Sequence, residues 1–425
     1  MDPTGRSSVR SFAPAAIATV AAIAPALALR GGWLHAGPAP SLLIYGAAVV
    51  SASFLLAWAA EAAELDVSGG LAIAVLALIA VLPEYAVDLY YAYAAGHNPD
   101  YAQYAAANMT GSNRLLMGVG WPLVVLAALV AARRRGIRLS GTGAGRKLAL
   151  LLSPANRVEL GFLLIAGLAG LLIPLTGRIG LPIGCALIAW FGFYLFTMSR
   201  SEGGEPELMG LAAQIGQLPV RTRRIAVVTM FVVAGAVIVV CAKPFADSLI
   251  GAAEQLGVDR FLLVQWLAPL ASEAPEFIIA IIFAGRGRSG AAIATLISSK
   301  VNQWTLLVGS VPIAYRAGGG SGTLILDQRQ TDEMWLTATQ TLMGVALLLA
   351  LRFGPRSAWM LLGLFMVQFV ITSTEGRMLL AGLYAVIAVA ALIVNRRYVF
   401  ATLRAPFESR TVDRSIVHRE LQPTS

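Results

Sequence analysis

The sequence predicts an all-α integral membrane protein, a bundle of about 12 transmembrane helices. Three observations carry this. The 425-residue chain is 57% hydrophobic and only 13% charged, against roughly 25% charged in a soluble domain. Its apolar residues fall in twelve long blocks, near 13–30, 41–60, 71–95, 103–131, 158–176, 179–198, 224–246, 261–284, 289–315, 334–351, 357–374 and 378–395. Each approaches the ~20 residues that a helix needs to cross the hydrocarbon core. The blocks are continuous, not alternating, which selects helices over barrel strands as the way to satisfy backbone polar groups in lipid.

The net charge of +9 distributes by side. If the chain crosses at every block, segments on the side of the N-terminus hold 23 of the 32 Lys and Arg, and the opposite segments hold seven. Arg114 and Lys300 lie inside blocks. Positive-inside logic then puts both termini in the cytoplasm of a multi-pass plasma (cell inner) membrane protein. The charge therefore does not point to nucleic acid; the expected partners are the bilayer and small cations, with the oligomeric state open. Arg6 and Arg10 before an apolar stretch ending Ala26-Leu27-Ala28 resemble a signal peptide, so cleavage of the first helix stays open. Cys185 and Cys241 both lie in apolar blocks and argue against a disulfide framework.

Two loops are long. Loop 132–157 carries Arg133, Arg134, Arg135, Arg138, Arg146 and Lys147 and reads as a basic anchor facing lipid headgroups. Loop 199–224 is mixed, with Glu202, Glu205 and Glu207 before Arg221, Arg223 and Arg224, and falls mid-chain. The halves on either side resemble each other. The third block carries Pro83-Glu84 and the eighth Pro275-Glu276. A short amphipathic stretch precedes each, from Glu61 to Val67 and from Ala252 to Val258. A helix opening with small polar residues follows each, at Thr110 to Asn113 and at Ser298 to Lys300. The copies are offset by five blocks, an odd number, so they run oppositely through the membrane. Inverted repeats of this kind are the signature of secondary transporters. The predicted organisation is an N-terminal helix in 1–40, a first repeat in 41–198, a cytoplasmic linker in 199–223 and a second repeat in 224–374. An extra helix and a polar tail fill 375–425.

Six ionisable residues fall inside the repeat helices: Glu84, Asp88, Arg114, Glu273, Glu276 and Lys300. Each costs at least a few kcal/mol at a helix centre unless paired or hydrated. Four acids against two bases leave carboxylates that a cation or protons must balance. Pro83 and Pro275 each free a backbone carbonyl one turn back. Carbonyls beside a carboxylate suit a hard cation such as Ca2+ or Na+. Glu84 and Asp88 share a helix face, as do Glu273 and Glu276. Asn108, Ser112, Asn113, Ser299, Asn302 and Gln303 supply neutral oxygens. Charge compensation is assigned to Lys300 and Arg114, and Glu84 with Lys300 or Glu276 with Arg114 are the possible ion pairs. Tyr90, Tyr91, Tyr93, Tyr101 and Tyr104 are expected to form an interfacial aromatic belt.

These elements resemble the alpha repeats of the calcium/cation antiporter superfamily, the sodium/calcium exchangers and their relatives. The family pattern is Gly-Thr-Ser-Leu-Pro-Glu, then Gly-Asn-x-x-Gly-Ser-Asn. Here the copies read Ile79-Ala80-Val81-Leu82-Pro83-Glu84 with Ala107-Asn108-Met109-Thr110-Gly111-Ser112-Asn113, and Ala271-Ser272-Glu273-Ala274-Pro275-Glu276 with Ser298-Ser299-Lys300. The resemblance implies a ten-helix core of five plus five, with one extra helix at each end. It implies Glu84 and Glu276 as the central metal ligands, Ser112 and Ser299 as flanking ligands, and Asn108 nearby. Gln303, Glu273 and Asp88 join the cation-binding set. The departures are informative. Val81 and Glu273 replace the family's serine, Leu116 and Gln303 occupy the position four after the repeat serine, and Lys300 replaces Asn. The ammonium of Lys300 is expected where relatives bind Na+, which would shift coupling toward protons.

The expected function is secondary active cation antiport of Ca2+ for Na+ or H+, with no cofactor besides the transported ions. A monovalent cation/proton exchanger of the same fold is the alternative. A non-transporting protein whose site is neutralised by Lys300 and Arg114 is another. An enzyme is disfavoured: His35, His97 and His418 all lie in loops or tails. The stretch Gly141 to Lys147 lacks the spacing and hydroxyl of a phosphate-binding loop.

Overall fold

The computed structural model describes residues 6–66, 81–134, 149–200, 208, 210–371 and 373–408. Most of the first Pro-Glu helix's approach (Val67 and 71–80), the basic residues Arg135 to Lys147 and the tail from 409 lie outside them.

Helices follow the apolar blocks. α1 (Arg6–Arg30) and α2 (Pro38–Ala63) come first. α3 (Leu82–Ala95) leads through a 3-10 turn to α4 (Ala102–Leu115), a π turn (Leu116–Gly120) and α5 (Trp121–Arg134). Strand β1 (Leu150–Leu151) precedes α6 (Asn156–Gly170), α7 (Leu172–Thr176), β2 (Arg178–Gly180) and α8 (Leu181–Ser199). Past the short α9 (Gly210–Gly216), α10 runs from Val220 to Leu256. Then come α11 (Arg260–Ser272), α12 (Ala274–Gly285), α13 (Ser289–Asn302), a second π turn (Gln303–Leu307) and α14 (Val308–Ala317). β3 (Thr323–Ile325), α15 (Gln328–Leu348), β4 (Arg352–Phe353), α16 (Pro355–Val367), α17 (Thr374–Val394) and α18 (Arg396–Arg404) complete it. Six described helices are long and apolar enough to span a bilayer, and the bent α11–α12 pair makes a seventh. The stretch Pro99–Arg134, which contains the first π turn, is one of the six.

The four strands tie the halves together. β1 pairs antiparallel with β4, and β2 with β3. The strand before α6 thus meets the strand after α15, and the strand after α6 meets the strand before α15. Gly180 and Gly354 cap α8 and α16 in nearly the same extended conformation, each followed by Pro in the first turn. Proline suits that place because its missing N–H would have no helical partner.

Helices approach closely where glycine removes the side chain. At Gly111 of α4 a Cβ would lie 2.7 Å from the Gln265 carbonyl carbon of α11. The site helix is thereby seated against the helix that leads to Glu273.

At the end of α2, Asp66 accepts from Arg223 Nε and Nη2 at 2.7 and 2.8 Å, and from Arg224 Nε at 3.1 Å. The bonds from Arg223, then those from Arg224, lower the Asp66 pKa to about 2. A folded-state value below the unfolded ~3.9 contributes stability above pH 4 that is lost as pH falls through 2. Asp66→Asn is therefore expected to lower the thermal unfolding midpoint at pH 7, with the gap closing toward pH 2. A gap independent of pH would contradict the assignment.

Candidate cation site

Each Pro-Glu element begins a helix. Val81 caps α3 with φ −89° and ψ 3°, and Glu273 caps α12 with φ −89° and ψ −2°. Two helix starts 192 residues apart thus share one conformation. Proline is the cause: it has no N–H to bond a carbonyl one turn back and its ring clashes there, while it fits the first turn of the helix that follows. The axis bends by 54° between α11 and α12. Glu84 and Glu276 fall in the first turns of α3 and α12, where the helix dipole favours a carboxylate.

The partner helices are matched too. Each π turn starts four residues after the repeat serine, at Leu116 after Ser112 and at Gln303 after Ser299. Such turns are frequent at functional sites because they widen the helix and re-aim side chains.

These elements bring Glu84, Asp88, Glu273 and Glu276 into one electrostatic neighbourhood. Glu84 and Glu273 are in carboxyl-to-carboxyl hydrogen-bonding contact. Asn108 Nδ2 donates to Asp88 Oδ1 at 2.6 Å, and Gln303 Nε2 to Glu273 Oε1 at 2.5 Å. Tyr85 donates to Asn302 Oδ1 at 2.8 Å. Glu84 Oε1, Asp88 Oδ2, Asn108 Oδ1, Ser112 Oγ, Gln303 Oε1 and Glu276 Oε2 are buried without a protein donor. A buried oxygen with spare lone pairs costs free energy until a cation, proton or water meets it. Ser299 lies at the half-buried edge of α13, as does Glu276 at the start of α12. No three His, Cys, Asp or Glu side chains among the described residues converge tightly enough to hold a metal ion. In this conformation the acidic groups therefore surround the break without closing on one point.

Three expectations need correction. Arg114 does not compensate the repeat carboxylates. Its guanidinium pairs with Glu333 of α15, donates to Gln368 Oε1 at 2.8 Å and stacks on Trp266. Arg377 of α17 pairs with the same Glu333. Arg114 leaves α4 on the face opposite the acids, so no Glu276–Arg114 pair forms. Lys300 likewise forms no ion pair with Glu84: it donates to the Asn113 carbonyl, with Glu273 and Glu84 as its nearby acids. Finally, Tyr91 and Tyr104 are buried, and with Tyr90 and Tyr101 they pack ring on ring. Tyr90 and Tyr101 donate to Asp247 of α10. They form a packed polar-aromatic joint and not a belt, and only Tyr93 of the five is well exposed.

Hydropathy missed Glu333, Asp332 and Arg377. Glu333 stands one residue before the block at 334–351, yet α15 begins at Gln328 and carries it inward. A helical reading of Asp327 as an N-cap, which accepts from Gln330 N, would have recovered it.

The sequence model of the sodium/calcium exchanger protein family matches residues 39–200 and 226–393. The chain belongs to the sodium/calcium exchanger family. The crystal structure of the H+/Ca2+ exchanger CAX is 37% identical, covers 94% of this chain and 98% of its own, and superposes with a TM-score of 0.86. Native YfkE is 14% identical with a TM-score of 0.59, covering 87% of this chain and 99% of its own. The sodium-calcium exchanger NCX_Mj is 14% identical with a TM-score of 0.52, covering 79% and 98%. The last two likenesses establish the fold alone. A search of curated protein sequences finds no match. This exchanger is a cation antiporter with the multi-pass helical fold of its family. Its relatives move small cations across a lipid bilayer.

Proposed function

We propose that this exchanger moves Ca2+ in return for H+, with Glu84 and Glu276 as the central ligands and Glu273 as the proton-exchanging acid. The observation that carries the reading is the buried contact between Glu84 and Glu273. Two carboxyl groups so placed cannot both stay ionised unless a cation lies between them. A proton and a divalent cation are then alternative occupants of one site, which is the requirement for antiport. Asp88, Asn108, Ser112, Ser299 and Gln303 surround the pair as further oxygen donors. The 37% identity to an H+/Ca2+ exchanger supports the same ions. Two inverted repeats, 41–198 and 224–374, joined by 199–223 and flanked by an extra helix at each end, agree with the matched helix starts, π turns and crossed strand pairs. The arginine-rich distribution supports a plasma-membrane location with both termini cytoplasmic.

Coupling to H+ instead of Na+ is supported by the lost oxygens at Val81 and Leu116 and by the buried ammonium of Lys300. Neutralising that ammonium (Lys300→Ala) is expected to change the ion or pH dependence of flux. A variant with the wild-type pH profile and no new Na+ response would remove Lys300 from coupling.

The deciding experiment is Ca2+ uptake into proteoliposomes under a proton gradient or a Na+ gradient. Uptake driven by protons alone supports the proposal. Uptake driven by Na+ alone would replace the coupling ion. No Ca2+ flux with either gradient, with Na+/H+ exchange present, would move the protein to the monovalent class.

A further inference from the structure

The polar tail opens with a helix, α18, that is seated on the bundle. Asn395 Nδ2 donates to the Ala346 carbonyl at 3.1 Å. Arg157 of α6 donates to Thr402 Oγ1 at 3.0 Å and stacks over Tyr398 at 5.3 Å. A Cβ at Gly161 would lie 2.6 Å from Pro406 Cδ. Thr402 and Ala405 are buried by this docking. Because Arg157 also reaches the Leu349 carbonyl, α18 sits at the end of the bundle where β1 pairs with β4.

The opposite face of α18 has a regular pattern. Arg397, Phe400, Arg404 and Phe407 recur at helical spacing and are all exposed, as is Arg396. Phe400 is 59% and Phe407 62% exposed. Arg404 lies over the Phe400 ring at 3.9 Å. None of the three arginines has an acidic partner within ion-pair distance among the described residues, and Glu408 is the only acid from 396 to 408. Phe407, in the turn after the helix, also packs against Phe193 and Trp190 of α8, so the outward stripe is one of arginines around partly exposed rings. It fits the boundary of a bilayer, where rings enter the acyl region and arginines reach the phosphate layer.

We infer that α18 is a headgroup-binding helix, whose Arg396, Arg397 and Arg404 hold the phosphates of anionic phospholipids at the β1–β4 end of the bundle. Charge complementarity selects the anionic headgroup, since a zwitterionic lipid offers each phosphate already paired. Seating on α6 preorganises the stripe, so binding orders little new chain.

Native mass spectrometry of the full chain in neutral detergent, with phosphatidylglycerol or phosphatidylcholine added, tests this. Wild type is expected to retain phosphatidylglycerol selectively. R396Q/R397Q/R404Q should lose roughly fivefold in affinity per arginine, on the order of 100-fold in all. The lysine triple variant, which keeps the charge, should bind within a few-fold of wild type. Equal retention of both lipids by wild type would overturn the inference. So would undiminished phosphatidylglycerol affinity in a glutamine variant that unfolds at the wild-type temperature in phosphatidylcholine. If the glutamine variant does not fold, weak binding by a folded lysine variant would overturn it.

Discussion

Glu276→Gln is expected to reduce Ca2+ flux by at least 100-fold without unfolding the protein. The substitution keeps the shape and removes one charge from a first helical turn that follows a Pro break. A unit charge about 4 Å from a carboxylate gains ~4 kcal/mol at an effective dielectric near 20, and a divalent ion about twice that. Retaining only ~3 kcal/mol of this in the net balance corresponds to about 100-fold in occupancy. Folding should not suffer, because Glu276 Oε2 has no protein donor to lose and removing a buried charge relieves repulsion with Glu273. Glu84→Gln should have the same effect, since the two positions share a helix-start conformation. The measurement is initial-rate uptake into proteoliposomes, with thermal unfolding as the control for folding. Flux within threefold of wild type in either variant would show that the ion does not meet these carboxylates.

The repeat helices were legible because their signals are local. A proline before a glutamate in an apolar run marks both a break and a costly charge, and two copies of it fix the correspondence between halves. The π turns left no such signal. Gly118, Gly120 and Pro122 weaken the helix around Leu116–Gly120 without naming a π turn, and Gln303–Leu307 reads as ordinary helix, although Trp304 there donates to Thr341 Oγ1 at 2.7 Å. Partner choice was also hidden. Whether Arg114 meets Glu276 or Glu333 depends on which face of α4 it leaves, and Glu333 is 219 residues away in sequence. Hydropathy windows reward apolar stretches, so a polar first turn that dips into the bundle reads as loop. The same bias reduced 396–404 to a tail, although its aromatic and basic positions recur with helical period.

Loss of Glu333 is expected to be among the most destabilising changes in the protein, although the residue lies outside the cation site. Its carboxylate joins four helices. It pairs with Arg114 of α4 and Arg377 of α17, and accepts from Gln265 Nε2 of α11 at 2.9 Å. Gln265 also donates to Thr110 Oγ1 at 3.2 Å, two residues before Ser112. The adjacent Asp332 is buried too, but it accepts from Gln328 Nε2 at 2.8 Å and forms an ion pair with neither arginine. Glu333→Ala leaves both guanidinium groups buried without the carboxylate that pairs with them. Breaking a buried pair from one side costs about 3–5 kcal/mol, whereas replacing the whole group by apolar residues can be neutral. Glu333→Ala should therefore lower the thermal unfolding midpoint sharply, and Arg114→Met with Glu333→Leu and Arg377→Met should recover most of the loss. That recovery separates charge imbalance from lost packing, which the triple change would not repair. A Glu333→Ala protein within about 0.5 kcal/mol of wild type, the range of ordinary surface substitutions, would mean that water already solvates the arginines. The physical consequence of the network is a division of labour on α4. One face carries oxygens without a protein partner, while the other is held by paired fixed charges, so the proposed cation site would have a braced backing helix.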